Sequence, residues 1–344
     1  MNDVGRPDSE SEASATVVAG VDLLDPTLAA SVRDAVGRVE ALLVEELSAG
    51  EDFLTEAALH LARAGGKRFR PLFTVLTAQL GPQPDNPEIV VAATVIELVH
   101  LATLYHDDVM DEAELRRGAE SANARWGNSM AILIGDYLFA HSSRLVSTLG
   151  PEAVRVISET FAELVTGQMR ETIGAGPREP VEHYLRTVWE KTGSLIATSG
   201  YFGGVFSGAP DEDVERLRRL GDAVGTAFQI ADDIIDIASD SEQTGKTPGT
   251  DLREGVHTLP VLYALQDEGP TGVRLRELLT GPLTEEAEVT EALGLLRGSD
   301  GMRRARVTLA EYVDRARLEL EGLPPGPANA ALRGLVDYTV QRVG

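Results

Sequence analysis

This chain reads as all-α, and three observations carry that reading. Ala, Leu, Val, Arg and Glu dominate its 344 residues, a composition that favours helix. Runs of alternating β-branched residues are scarce and aromatics make up only 5%, so half-buried strands have little to be built from. Helix start and stop signals recur along the whole chain.

Asp25-Pro26 offers an N-cap with proline at the first helical position, and Leu28, Val32, Val36, Val39 and Leu43 then form an apolar stripe. Residues 53–64 make a second amphipathic segment, closed by Gly65-Gly66. A long apolar helix runs from about Pro87 into an aspartate cluster at 107–111, and another spans roughly 128–149, ahead of Gly150-Pro151. Further helices are expected near 152–173, 180–207 and 211–240, punctuated by Gly174-Ala175-Gly176-Pro177 and Gly208-Ala209-Pro210. Residues 241–255, polar and rich in Gly and Thr, read as a mobile loop, and shorter helical patterns complete the chain. No composition shift marks an internal boundary. We expect a single domain over 25–344 behind an acidic, disordered tail at 1–24.

The formal net charge is −24 and stays strongly negative without the aspartates singled out below. Such a chain repels nucleic acid and anionic lipid surfaces. It has no cysteine, which excludes disulfides, thiolate catalysis and Cys-ligated zinc but leaves the redox compartment open. The first twenty or so residues lack the basic and apolar regions of a signal peptide. No uncharged apolar stretch reaches spanning length; residues 192–210 come closest and are Gly-rich. The expectation is a cytoplasmic protein with no stable membrane anchor.

The pentapeptide Asp-Asp-x-x-Asp occurs twice, as Asp107-Asp108-Val109-Met110-Asp111 and as Asp232-Asp233-Ile234-Ile235-Asp236. On a helix, residues i and i+4 share a face, so Asp107 meets Asp111 and Asp232 meets Asp236. Like charges so placed destabilise a helix by roughly 0.2–0.5 kcal/mol per pair. A cation removes that repulsion, and carboxylates with water and phosphate oxygens are what Mg²⁺ prefers. A single such motif in an acidic protein is usually a solvated helix face. Both copies here follow apolar helical stretches that an exposed face does not need, which favours metal ions around a diphosphate.

Between Ala57 and Pro84 the chain has no acidic residue but carries Arg63, Lys67, Arg68 and Arg70. This basic island suits an oxyanion, with Lys as a point charge and Arg as a bidentate ligand. It equally suits a helix C-terminus with favourable dipole charges. Further cations stand at Arg116-Arg117, Lys191 and Lys246. Two acidic clusters with four basic elements match a substrate pair bearing two diphosphates, one held through metal and one held directly.

Gly65-Gly66-Lys67-Arg68-Phe69-Arg70-Pro71, the two aspartate motifs, Phe228-Gln229 ahead of the second, and Gly245-Lys246 together resemble the trans-isoprenyl diphosphate synthases, the polyprenyl synthetase family. The resemblance covers the chain from about residue 40 onward. It implies a ring of helices around a central cavity, a homodimer, and Mg²⁺, three ions in all. It also implies roles. Asp107, Asp111 and Asp232 would be the main metal ligands, with Asp108, Asp233 and Asp236 supporting them. Lys67, Arg70, His100 and Arg117 would hold isopentenyl diphosphate, and Arg116, Lys191 and Lys246 the allylic diphosphate. Thr192 and Gln229 would line the developing carbocation. Taken by itself, His100 would read as a core histidine. After Asp251-Leu252-Arg253-Glu254-Gly255 the family often has lysine where this chain has Val256 and then His257, so one cationic contact is missing or replaced.

The helix ahead of Asp107 should line the pocket into which the product grows. A helix turn rises about 5.4 Å, similar to one isoprene unit, so side-chain size at Thr103, Ala102 and Val99 can set product length. Short-chain members of the family commonly carry a bulky aromatic four or five residues before the first aspartate. Here those residues, Thr103 and Ala102, are small, which resembles the long-chain synthases of C30 and beyond. Phe139 on the next helix could close the pocket instead. The alternatives are a farnesyl or geranylgeranyl diphosphate synthase, a terpene cyclase and a non-catalytic regulatory subunit. A cyclase needs no second diphosphate site, and a regulatory subunit would be expected to have lost aspartates.

Overall fold

The computed structural model describes residues 16–48, 50–66, 68–239 and 248–341. The described chain starts with a hairpin, β1 (Val17–Val18) and β2 (Val21–Asp22), followed by α1 (Pro26–Leu47), α2 (Asp52–Arg63), α3 (Phe69–Ala78) and α4 (Pro87–Met110). A second hairpin, β3 (Leu115–Arg116) and β4 (Ala119–Glu120), leads to α5 (Ala122–Trp126), α6 (Asn128–Val146), α7 (Pro151–Ile173) and α8 (Pro180–Val188). A π-helical turn, Trp189–Gly193, joins α8 to α9 (Ser194–Phe206), and α10 (Asp211–Ala238) follows. The described chain closes with α11 (Thr250–Glu254), α12 (Leu259–Leu265), α13 (Pro270–Leu278), α14 (Glu286–Arg297), α15 (Asp300–Glu321) and α16 (Pro327–Gln341). The fold is all-α.

The cap expected at Asp25 is made, and a second is found at Asn86. Asp25 accepts from Leu28 N–H at 2.8 Å to start α1, and Asn86 accepts from Glu88 N–H at 3.1 Å to start α4, each ahead of a proline. A side-chain acceptor of this kind satisfies one orphan N–H of the first turn and contributes about 1 kcal/mol.

Two compact units can be distinguished. The first comprises Met1–Phe161, Leu195–Arg218 and Gly322–Gly334. Its core helix is α4, on which Ile89, Ala92, Ala93, Val95, Ile96, Val99 and Ala102 are buried. α4 packs most extensively on α6 and also meets α1 and α3. The approach to α6 depends on Gly135, where an added Cβ would strike the His106 ring and lie 3.1 Å from the Ala102 carbonyl oxygen. Tyr105, fully buried, ties α4 to α2 by donating to the Ala57 carbonyl at 2.6 Å and accepting from Leu61 N–H at 3.2 Å. The Gly-rich stretch of α9 has a packing role, because a Cβ at Gly203 would lie 2.5 Å from the Thr74 carbonyl oxygen on α3.

The second unit comprises Ala162–Ser194, Arg219–Glu321 and Leu335–Gly344. There α12 packs on α15, with the Tyr263 hydroxyl 3.0 Å from Thr308 Oγ1. Gly301 makes the close approach possible, since its Cβ would stand 2.6 Å from the Pro260 carbonyl oxygen.

Two expectations are corrected. Residues 16–24 are folded into the first hairpin and its exit, with Leu23 fully buried, so a disordered stretch does not extend to 24. Part of the loop expected over 241–255 is the short helix α11, while residues 240–247 lie outside the described residues. The helix expected over 180–207 is present and is widened into the π-turn at Trp189–Gly193. Among the described residues α4 is long and apolar enough to cross a membrane, although Glu97 interrupts it, and most of it is buried within the protein as a core helix is.

Candidate active site

The first unit gathers a cationic cluster around α4. Arg117 has a left-handed backbone (φ 55) and donates from Nη1 to the carbonyls of Leu61 at 3.0 Å and Gly65 at 2.5 Å. Its guanidinium occupies the space Gly66 leaves, because a Cβ there would lie 3.0 Å from Arg117 Cζ. A side chain at Gly66 would press on this arginine, and the backbone there (φ 137) favours glycine. Arg68, also left-handed (φ 46), donates to Glu97 at 3.0 Å and to the Ala62 carbonyl at 2.6 Å. His100 Nε2 stands 3.5 Å from Arg117 Nη2. Burial, with Arg70 and Arg117 beside it, holds the imidazole well below its usual range, so it is neutral at pH 7. Arg70 is pushed down to about 10 by burial, and its Nε is buried without a hydrogen-bond partner. A cluster with concentrated guanidinium charge and an unanswered donor suits an anion.

Two turns beyond His100, α4 ends in the first aspartate motif. Asp111 caps the helix, with its N–H donating to the Asp107 carbonyl at 2.8 Å. Asp108 is fully buried and accepts from Arg116 Nε at 2.5 Å, while Arg116 Nη2 lies 3.9 Å from Asp111. Burial pushes the Asp108 carboxyl up and Arg116 pulls against it. Its second oxygen, Oδ2, is buried with no hydrogen-bond partner.

The second unit carries the other motif on α10. Asp233 is buried and accepts from the Tyr184 hydroxyl and, at 3.0 Å, from Gln229 Nε2. Asp236 accepts from the backbone N–H groups of Thr250 at 3.2 Å and Asp251 at 3.3 Å. Burial, and the charges of Asp232 and Asp236, push Asp233 up to about 7. Burial, and the charges of Asp233 and Asp236, push Asp251 up to about 8. In the π-turn, Lys191 pairs with Glu171 of α7, and Thr192 Oγ1 lies 3.4 Å from Gln229 Oε1. Thus Thr192, Gln229 and Asp233 form one polar chain.

Carboxylates crowded by burial and by one another, one with an orphaned oxygen, are a donor set that fits a hard divalent cation. Among the described residues no three acidic or imidazole groups form a ready-made cage. Mg²⁺ usually takes one or two protein carboxylates and completes its shell with water and substrate phosphate.

Arg70, His100 and Arg117 are thus brought together in the first unit, as are Arg116, Asp108 and Asp111. Thr192, Gln229 and Asp233 meet in the second. Lys67 and Lys246 lie outside the described residues. Val99 and Ala102 are fully buried, and the Thr103 hydroxyl donates to the His100 carbonyl at 2.9 Å. Phe139 stacks on Phe161 with ring centroids 4.2 Å apart. Sequence reasoning missed Glu97, Glu171, Tyr184, Glu190 and Asp251. Two signals pointed to some of them: Glu97 is a lone charge inside the apolar run of α4, and Gly167 stands inside α7 opposite Glu190 and Lys191.

Residues 51–296 match the polyprenyl synthetase family model. The chain is 64% identical over 331 residues to a nonaprenyl diphosphate synthase of Mycobacterium tuberculosis, covering 96% of this chain and 99% of that protein. Among solved structures, it is similar to a geranylgeranyl pyrophosphate synthase from Corynebacterium glutamicum complexed with calcium and isoprenyl diphosphate. The TM-score there is 0.86 at 52% identity, covering 93% of this chain and 98% of that one. It is also similar to a decaprenyl diphosphate synthase from Rhodobacter capsulatus, with a TM-score of 0.82 at 33% identity, covering 92% and 99%. The chain belongs to the polyprenyl synthetase family. It is an enzyme, a prenyltransferase.

Proposed function

We propose that the chain condenses isopentenyl diphosphate head-to-tail with an allylic diphosphate, building an all-trans polyprenyl diphosphate of C30 or longer. One observation carries the two-diphosphate part of this reading. Two turns of α4 separate His100, which stands in a guanidinium cluster with Arg117 suited to a bare diphosphate, from a carboxylate motif suited to a metal-bound one.

In this reading Lys67, Arg70, His100 and Arg117 hold isopentenyl diphosphate, and a neutral His100 can donate one hydrogen bond without adding charge. Arg116, Lys191 and Lys246 contact the allylic diphosphate. Asp107, Asp111 and Asp232 would hold magnesium, with Asp108, Asp233 and Asp236 supporting them; three ions are proposed. Bound magnesium would supply positive charge to the diphosphate as it departs. The allylic C–O bond breaks, and diphosphate leaves with the electron pair. The isopentenyl double bond then attacks the allylic cation and forms the new C–C bond, and the product loses a proton to the departing diphosphate. Thr192 and Gln229 orient toward the cation, and the buried apolar residues of α4 keep water away from it.

The purified protein with isopentenyl diphosphate, Mg²⁺ and dimethylallyl, farnesyl or geranylgeranyl diphosphate should yield products of C30 or longer, read by mass after dephosphorylation. A stop at C20 would establish the second reading, favoured by the similarity to the geranylgeranyl synthase. No Mg²⁺-dependent product from any primer would overturn both. Ala102→Phe should shorten the product while leaving the first condensation within about 2-fold; an unchanged product would move the length control elsewhere.

We further propose that residues 25–344 work as one catalytic domain, that the enzyme is a homodimer and that it acts in the cytoplasm. Light scattering of the purified protein tests the second of these.

A further inference from the structure

The π-turn that carries Lys191 and Thr192 is held by groups to which the reaction assigns no role. Ser194 N–H reaches back to the Trp189 carbonyl, five residues earlier, which is the widened hydrogen bond that defines the turn. Such turns are rare and occur frequently at functional sites. Glu190 sits in this one and is fully buried. Its Oε2 accepts from Arg170 Nε at 2.7 Å, and its Oε1 from Arg170 Nη2 at 3.0 Å and Arg186 Nε at 2.7 Å. Arg170 comes from α7 and Arg186 from α8, so the carboxylate pins the turn to both preceding helices. A buried carboxylate is tolerated only when its charge and hydrogen bonds are answered, and here two guanidiniums answer it.

α7 also comes unusually close. A Cβ at Gly167 would lie 2.7 Å from Glu190 Cβ, 2.9 Å from Lys191 Cγ and 2.9 Å from Lys191 N. On the same helix, one turn further, Glu171 pairs with the Lys191 ammonium. The neighbouring side chains of the turn therefore have divided tasks. Glu190 points into the arginine clamp, whereas Lys191 and Thr192 are directed to Glu171 and Gln229.

We propose that Glu190, clamped by Arg170 and Arg186, is a positioning residue that sets the π-turn so that Lys191 and Thr192 meet the allylic diphosphate. The proposal rests on the reading of Lys191 given above. A misplacement of about 1 Å in a positioning group can cost on the order of 100-fold, so the effect should be kinetic and specific to one substrate.

The test measures KM for each substrate and the melting temperature for Glu190→Gln, Gly167→Ala and Lys191→Ala. The expected result for Glu190→Gln and Gly167→Ala is a rise in allylic KM of about 10-fold or more with isopentenyl diphosphate KM within about 2-fold. Lys191→Ala should show the same split. If Glu190→Gln does not fold, Arg186→Gln leaves Arg170 on the buried carboxylate and should give the same split in weaker form. An effect of Lys191→Ala on allylic KM without one from Glu190→Gln or Gly167→Ala overturns the positioning role alone. No effect of Lys191→Ala overturns the reading of Lys191 and the inference with it. Equal rises in both KM values alongside a fall in melting temperature mark Glu190 as merely structural and overturn the proposal.

Discussion

Asp108 and Asp233 occupy the same place in the same aspartate pattern, and their surroundings differ. Asp108 is answered by a cation, the guanidinium of Arg116 eight residues ahead. Asp233 is answered by neutral donors, the Tyr184 hydroxyl and the Gln229 amide. Both are buried, which penalises charge, but only Asp108 has an opposite charge in direct contact. Asp233 is pushed up to about 7, and Asp251 beside it to about 8. The comparison teaches that a motif specifies which oxygens are offered, while its neighbours specify how strongly those oxygens need a cation. By this argument the second motif depends more on bound metal for its charge balance.

Removing a ligand aspartate from either motif gives the largest expected effect. Asp107→Ala and Asp232→Ala should each lower kcat/KM by about 1,000-fold or more, the equivalent of roughly 4 kcal/mol of lost charge stabilisation. Steady-state assays at saturating Mg²⁺ check this, and near-wild-type activity in one variant would show that its motif is not needed.

The two countercharges can then be removed in turn. Arg116→Gln leaves Asp108 buried without its cation and should destabilise the fold by about 2 kcal/mol, below the range for fully buried pairs because Arg116 is 30% exposed. Tyr184→Phe removes one neutral hydrogen bond from Asp233 and should cost about 1 kcal/mol. Urea melts rank the two, and a larger loss in Tyr184→Phe would break the comparison.

The smallest expected effect is on pH dependence. Asp233 and Asp251 have folded-state values above the ordinary 3.8. The folded protein therefore holds protons that the unfolded chain releases. Their stabilising contribution is complete below about pH 4 and is lost as pH rises through 7 to 8. Metal-free protein should melt a few degrees lower at pH 8 than at pH 6 through these groups, and excess Mg²⁺ should remove most of that slope. Thermal melts in EDTA and in Mg²⁺ would sink the argument if the slopes were equal.

Helix existence was largely legible in the sequence. Asp25-Pro26 opens α1 as its capping pair predicts, and α4 starts at Pro87 where the sequence places it. The π-turn was not legible, because Trp189–Gly193 contains no glycine or proline at its start and its extra residue is stabilised by Arg170, distant in sequence. The hairpin over Val17–Asp22 was missed because it was read as one with the polar, acidic residues before it, while Val18 and Leu23 find apolar cover that composition cannot foresee. Among site residues, Glu171, Glu190 and Asp251 read in sequence as ordinary solvated acids. Only burial and contact distinguish them.

Residue types and helical spacing by themselves determined that this chain is helical, that Asp107 and Asp111, like Asp232 and Asp236, stand one helical turn apart, and that a basic island stands apart from an acidic whole. Those are local properties, decided within two turns of helix. Tertiary structure alone decided which group answers each buried carboxylate: Arg116 for Asp108, Tyr184 for Asp233, Arg170 for Glu190. These partners stand 8, 49 and 20 residues away in sequence. Desolvation and countercharge act through space, so the chemistry of two pentapeptides with one aspartate pattern diverged once the chain had packed.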